Sequence, residues 1–146
     1  MNTSSRGLRN NNPLNIRRSP SRWLGEVEHL NGYTDPHFCQ FSDLQYGYRA
    51  AVKLLRTYQT KYGCHTIAQI IKRWAPPTEN RTQAYIAQVA RLMTRQGNQP
   101  IIPEQPINLN NTDTLHLLIC AMQQVECGQA PTEQHINALN KAFALL

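Results

Sequence analysis

A single glutamate near the end of an amphipathic stretch has the features of a general acid. Apolar residues recur at three- and four-residue steps from Thr112 onward, which predicts a helix that ends at a left-handed residue, Gly128. Glu126 lies seven residues after Ile119, at the edge of the apolar stripe and in the last turn. Burial and the helix dipole both favour its protonated form, as a proton donor near neutral pH requires. The alternative is an ordinary glutamate at a fraying helix end.

A general acid suits several reactions, and cleavage of a glycosidic bond is one of them. One acid protonates the leaving oxygen, and hydrolysis uses a second carboxylate. Glu79 is the leading second candidate because two prolines precede it and a helix follows, although it could simply stabilise that helix through the dipole. Glu26, Glu28 and Asp35 come next. A mechanism with one glutamate and the sugar's own N-acetyl group needs no second carboxylate.

Asparagine and aromatic side chains supply candidates for binding a sugar. Residues 6–17 read R-G-L-R-N-N-N-P-L-N-I-R, a composition that predicts irregular turns. Asparagine amides suit sugar hydroxyls and N-acetyl groups because they carry donors and an acceptor, and turn formation is an equally good explanation. Aromatic rings stack on sugars or fill the core. The substrate-binding candidates are Asn11, Asn12, Asn15, Trp74, Asn80 and Tyr85.

The elements that must position these residues are mostly helices. Capping boxes are predicted at residues 42–45 and 66–69, and helices are expected to end near Gly63 and at Pro76-Pro77. A further helix begins at Thr78 or Asn80, with Gly97 past its end. Thr112 or Asp113 caps the Glu126 helix, and Pro131-Thr132 opens the last one. The predicted fold is mainly α, about five helices around one core.

Residues 22–41 predict a small β lobe, with a hairpin turn at Asn31-Gly32. Residues 98–111 contain three prolines and predict an extended linker between two helices. We expect a single domain over residues 1–146, with residues 1–5 as a flexible tail.

The composition of the chain limits the kinds of binding partner, cofactor and location that we expect. The formal net charge of +6 suits an acidic polymer. No apolar run is long enough to cross a bilayer, and the N-terminus does not resemble a signal peptide, so we expect synthesis in the bacterial cytoplasm. The cysteine and histidine spacing predicts no metal site or cofactor, and a peptidase using Cys39 or Cys64 with a histidine is a weak alternative. A nucleic-acid-binding module is disfavoured because no helix is rich in Lys and Arg. The oligomeric state stays open.

Several motifs carry resemblances to known families. The segment N-N-N-P-L-N-I-R, followed by Trp23 and Gly25 and by F-C-Q-F-S-D-L-Q-Y-G-Y-R-A, resembles part of the flagellar and autolysin glucosaminidases. In those enzymes the helix bearing the catalytic Glu precedes the Asn motif. Here the similar stretch A-M-Q-Q-V-E-C-G comes near the C-terminus, so the resemblance implies the same parts in a circular order. It therefore predicts that residues 6–17 pack beside the end of the Glu126 helix.

A closer resemblance is to phage and prophage proteins often called structural or virion proteins. It covers roughly residues 6–140, and W-A-P-P-T-E-N, residues 74–80, is its most specific block. The resemblance implies a lysozyme-like helical domain with a small β-hairpin lobe, and a peptidoglycan glycosidase of muramidase, glucosaminidase or lytic transglycosylase type. It also implies association with the virion or release to the cell wall. The alternative is a non-catalytic virion protein that binds cell-wall glycan.

Overall fold

A computed structural model describes residues 5–28, 33–78 and 80–146, so the predicted hairpin turn at Asn31-Gly32 and the candidate Glu79 lie outside it. The mainly helical class is confirmed. Six helices form in the described residues, one more than expected, because a single helical turn forms where only irregular turns were predicted. The helices are α1 (Arg6–Arg9), α2 (Leu44–Tyr62), α3 (Ile67–Trp74), α4 (Thr82–Gly97), α5 (Thr112–Cys127) and α6 (Glu133–Ala144).

Local capping signals explain some helix boundaries and fail at others. The capping box that opens α3 is confirmed. The Thr66 hydroxyl accepts a hydrogen bond from the Gln69 backbone N–H, and the Gln69 side-chain oxygen accepts one from the Thr66 backbone N–H. The predicted box at residues 42–45 does not form. There α2 begins one residue later, and its N-cap, Asp43, makes no side-chain capping bond.

The boundaries of α4 and α5 also differ from the prediction. Helix α4 begins at Thr82 rather than at Thr78 or Asn80, and the Thr82 hydroxyl donates to the Ala75 carbonyl. Its left-handed C-cap is Asn98, with Gly97 as the last helical residue. Asn111 caps α5, because its side chain reaches the Thr114 N–H.

Helix α5 lies in the middle of the apolar core. It packs against α4, and α2 packs against α6 on another side. The stripe predicted from its sequence is the face that α5 buries, and removal of this apolar surface from water supplies much of the driving force for folding. Its fully buried residues are Leu115, Leu118, Ile119 and Met122.

The segment between α1 and α2 is held by polar contacts rather than by a sheet. Its backbone pairs at two isolated antiparallel bridges, Arg17 with Phe38 and Glu26 with Phe41, and the described residues of this segment form no regular strand. Asp35 is buried and pairs with Arg6 at 2.7 Å. Burial alone would raise the pKa of Asp35, but four hydrogen-bond donors hold it well below its usual range.

The proline-rich residues 98–111 join α4 to α5 along the start of α3. The Ala68 N–H donates to the Pro103 carbonyl at 3.0 Å, Thr66 pairs with Pro106, and Leu109 is fully buried. Among the described residues, no helix combines the length and the apolarity needed to span a bilayer.

Candidate active site

Glu126 lies in the last turn of α5, where two other elements meet it. The Asn15 side-chain amide donates to its Oε1 at 2.8 Å, and the Tyr85 hydroxyl, from α4, donates to its Oε2 at 2.8 Å. The Cys127 thiol donates to the Pro13 carbonyl at 3.3 Å. This bond fixes the end of α5 against residues 10–15, here called the asparagine loop. Asn15 and Glu126 are 111 positions apart in the chain, so only the tertiary fold brings them together.

The asparagine side chains of residues 10–15 have different hydrogen-bond partners. Asn12 is fully buried, and its side chain donates to the Ile16 and Cys39 carbonyls and accepts from the Ile16 N–H. Asn11 donates to the Phe41 carbonyl at 3.0 Å and lines a separate groove beside α6. Both were sugar-binding candidates. The structure directs them into the loop and away from Glu126, since local amides must be satisfied where the backbone is buried.

Asn15 reaches Glu126 because its backbone adopts a left-handed conformation, with φ of 54°. Asparagine tolerates this region better than most residues do. Two glycines let the loop sit close to its neighbours. A Cβ at Gly7 would lie 2.8 Å from Asn15 Oδ1, and one at Gly47, in the first turn of α2, would lie 2.0 Å from the Asn11 carbonyl oxygen. The small residues therefore set the position of the Asn15 amide.

The electrostatics of the site shift Glu126 toward its protonated form. Burial raises the pKa of Glu126, and the hydrogen bonds from Asn15 and Tyr85 oppose that rise only in part. Burial and the neighbouring carboxylate raise the pKa of Tyr85 well above its ordinary value, so the phenol stays neutral and able to donate. The predicted bias of Glu126 toward its protonated form thus has a physical basis in the fold.

Glu126 opens on one side to a pocket of about 380 Å³, here called the acid pocket. Tyr85 and the exposed Asn80, two of the sugar-binding candidates chosen from the sequence, both line it. The Asn80 amide donates to the Pro76 carbonyl at 3.2 Å, which holds the corner before α4. The acid pocket is lined by Asn80, Arg81, Ala84, Tyr85, Gln88, Val125 and Glu126.

Asn15 also lines a second pocket, of about 280 Å³, here called the arginine pocket. Trp74 lies in its wall, half-buried, with its indole N–H donating to the Leu14 carbonyl at 3.2 Å. The bond between Asn15 and Glu126 therefore joins the two pockets. The arginine pocket is lined by Asn15, Ile16, Arg17, Leu54, Tyr58, Arg73, Trp74 and Pro76.

Comparison with known proteins places the chain in a family. No protein-family model matches it. It is 41% identical over 134 residues to Protein P5 of Pseudoalteromonas phage PM2, and the match covers 90% of this chain and 76% of that protein. The chain belongs to the Protein P5 family. The predicted link to phage proteins is thereby confirmed, and the lysozyme-like fold and the glycan chemistry stay predictions.

The other carboxylates considered for this P5-family chain have different surroundings. Asp35 is engaged with Arg6 and Asn10, and Glu26 accepts from the Trp23 N–H and the Tyr33 hydroxyl. Glu28 is exposed. None of the three lines either pocket, and Glu126 is the only carboxylate among the described residues that do.

The cysteine peptidase alternative finds no support in the geometry. Burial, the largest cause, raises the pKa of the Cys39 thiol to about 12, which disfavours the reactive thiolate. Within the described residues, the Cys39 and Cys64 thiols hydrogen-bond backbone carbonyls rather than a histidine; the sulfur that approaches an imidazole, at 3.7 Å from His116, is that of Cys120. Burial raises the pKa of Cys120 to about 11.

Sequence reasoning missed the residues that give the arginine pocket its charge. Arg73 follows Lys72 on α3 and carried no motif of its own. No local sequence signal could have found it, because its ring contacts are tertiary: the Arg73 guanidinium lies over Tyr62 and Tyr58, and the Tyr58 and Trp74 rings meet edge to face.

Proposed function

We propose that this protein cleaves the glycan strands of peptidoglycan, with Glu126 as the general acid. One observation carries the proposal: a half-buried carboxyl group with a raised pKa opens to a pocket while Asn15 and Tyr85 hold both of its oxygens. Such a perturbed group in a cleft is a frequent feature of catalytic sites. The resemblance of the Asn motif and of A-M-Q-Q-V-E-C-G to glucosaminidases supplies the substrate class.

In the proposed reaction, protonated Glu126 donates its proton to the glycosidic oxygen as the bond from that oxygen to the anomeric carbon breaks. The bond's electron pair goes to the departing oxygen, and positive charge develops on the sugar ring. Glu126, now a carboxylate, takes a proton from the incoming nucleophile. That nucleophile is water in hydrolysis, or a hydroxyl of the same sugar in a lytic transglycosylase reaction.

Tyr85 and Asn15 are positioning residues in this scheme. Each donates to a carboxylate oxygen, so both stabilise the charged form that follows proton transfer. Glu79 remains our candidate for a second carboxylate, because it directly precedes Asn80 of the acid pocket in the chain. A lysozyme-like arrangement, in which the segment between α1 and α2 forms the smaller lobe, is part of the proposal, as is association with the phage particle or release to the cell wall.

A second candidate function is glycan binding without cleavage, as a component of the phage particle. It is favoured by the engagement of both Glu126 oxygens in hydrogen bonds, and by Glu126 being the only carboxylate among the described residues of the acid pocket and the arginine pocket. In this case Glu126 serves as a structural acceptor between α4 and the asparagine loop.

Purified sacculi separate these functions. An enzyme is expected to release soluble muropeptides, measured by chromatography, whereas a binding protein is expected to sediment with sacculi and release nothing. A protein that neither sediments with sacculi nor releases muropeptides, and instead binds duplex DNA in a strongly salt-dependent way, would contradict both functions.

The activity is expected to fall as pH rises through the raised pKa of Glu126, since only the protonated form donates. The contribution of Glu126 to the stability of the fold is also expected to fall as pH rises. A carboxyl group whose pKa is higher in the folded than in the unfolded state stabilises the fold below the unfolded pKa, and that contribution is lost as pH rises through the folded pKa.

Initial rates and unfolding midpoints between about pH 4 and pH 8 measure both effects. Glu126→Gln is the control for stability, because it lacks this titration. An activity that rises monotonically with pH, at constant binding to sacculi, would exclude Glu126 as the acid.

A further inference from the structure

The arginine pocket has the composition of a site for an acidic sugar. Its lining combines aromatic rings with positive charge: the rings belong to Tyr58 and Trp74, and the guanidinium groups to Arg17 and Arg73. Aromatic rings suit the apolar faces of a sugar, and planar guanidinium groups suit carboxylates because their N–H groups match the carboxylate geometry. No carboxylate is present among the described residues of this pocket.

Two tyrosine rings hold the Arg73 guanidinium and leave its N–H donors available to a ligand. Its guanidinium carbon lies 3.6 Å from the centroid of the Tyr62 ring and 5.2 Å from that of Tyr58. Stacking on rings occupies the face of a guanidinium, whereas its N–H donors point outward along its edge. Within the described part of the chain, Arg73 makes no ion pair, since the ion pair found there joins Arg6 to Asp35. Two rings therefore orient a cation without neutralising it.

The position of the pocket relates it to the proposed chemistry. Asn15 lines the arginine pocket and hydrogen-bonds Glu126, which lines the acid pocket. A glycan strand passing Glu126 would thus place a neighbouring sugar unit at the arginines. The acid pocket adds a further cation at its rim, the exposed Arg81. The two pockets together present three arginines, and among their described residues the single acid is Glu126.

We propose that the arginine pocket binds a carboxylate-bearing unit of the glycan, so that the site selects acidic peptidoglycan strands over neutral amino-sugar polymers. This inference rests on the proposed function and deepens it. Peptidoglycan offers two carboxylate sources: the lactyl group of its muramic acid, free once the peptide is removed, and the peptide stem itself. A chitin oligosaccharide has the same N-acetylated backbone and neither carboxylate.

The test measures binding directly, with Glu126→Gln as the background in every arm so that no bond is cut. Three probes are compared: intact sacculi by sedimentation, and by calorimetry both glycan strands stripped of peptide by an amidase and chitin oligosaccharides of matched length. We expect a preference of roughly tenfold for at least one acidic probe over chitin, the size of one hydrogen bond to a charged group. Added salt should reduce that preference.

Arg73→Gln is expected to remove most of the preference and to leave chitin binding unchanged. Lys72→Gln is the matched control, because it removes a positive charge from the adjacent, exposed position of α3 and lies outside both pockets. Binding of stripped strands identifies the lactyl carboxylate as the partner, and binding of intact sacculi alone identifies the peptide stem. Circular dichroism of each variant confirms matched folding.

Equal affinity for chitin and for both acidic probes would overturn the inference, as would equal losses in Arg73→Gln and Lys72→Gln, which indicate diffuse attraction. Duplex DNA bound as tightly as the acidic probes would overturn it in the same way. These outcomes leave the cleavage assay on wild type untouched. Binding that depends on Arg73 without cleavage by wild type would uphold the pocket and refute the enzyme, and absence of all glycan binding would refute both.

Discussion

Glu126→Gln is expected to lower the rate of muropeptide release from sacculi by about 10²-fold or more, the usual consequence of removing a general acid. Glutamine keeps the shape of the side chain and its local contacts. Its amide oxygen can accept from Asn15, and its amide nitrogen can donate to the Tyr85 hydroxyl, which both donates and accepts. The substitution therefore removes the proton and spares the arrangement.

Stability should respond in the opposite direction. Burial raises the pKa of Glu126, so the wild-type fold carries an electrostatic cost near neutral pH that glutamine does not have. The free energy of unfolding of Glu126→Gln should equal or slightly exceed that of wild type at neutral pH. Glu104→Gln, at an exposed position in residues 98–111, is the control and should change neither quantity. Undiminished muropeptide release by a well-folded Glu126→Gln would assign the glutamate a packing role alone.

Gly47→Ala is expected to destabilise the fold although it adds only one methyl group. The added Cβ would lie 2.0 Å from the Asn11 carbonyl oxygen, a backbone atom that cannot swing aside. Alanine favours the helix by up to about 1 kcal/mol over glycine, but overpacking against backbone costs more, so we expect a net loss of about 2 to 3 kcal/mol. Chemical denaturation measures this loss.

Gly63→Ala distinguishes the clash from the general effect of replacing glycine. Gly63 has a φ of 65° and open space around its Cβ position, so its substitution carries only the conformational cost, about 1 kcal/mol. Because the Asn11 carbonyl belongs to the loop that carries Asn15, Gly47→Ala should also weaken glycan binding, whereas Gly63→Ala should not. Equal destabilisation by the two substitutions would mean that the loop does not press on α2.

The features that could be predicted from sequence are those fixed by neighbours in the chain. The α3 capping box, the left-handed Gly128 and the buried stripe of α5 each depend on residues within a few positions, and each is present. The placement of the asparagine loop beside the end of α5 was also predicted. That prediction came from the resemblance in circular order rather than from local pattern.

The features that could not be predicted depend on contacts between distant segments. Asn11, Asn12 and Asn15 are equivalent by local rules, yet Asn12 is consumed by backbone carbonyls and only Asn15 meets Glu126. Tyr85 was a candidate to stack on a sugar or to fill the core, and no local rule indicated that its hydroxyl would donate to Glu126. Arg73 gained its importance from rings on α2, which no spacing rule connects to it.

The distance along the chain between the two halves of the site also bears on how the protein could be inactivated. Asn15 belongs to the loop after α1, whereas Glu126 belongs to α5, and residues 98–111 lie between them, partly exposed. A single proteolytic cut in that segment would leave the acid and its amide donor on separate polypeptides. The packing of α5 against α4, α1 and α2, and of α6 against α2, would then hold the pieces together. The function of the site after such a cut would then depend on how strongly these helices pack, and no longer on the covalent continuity of the chain.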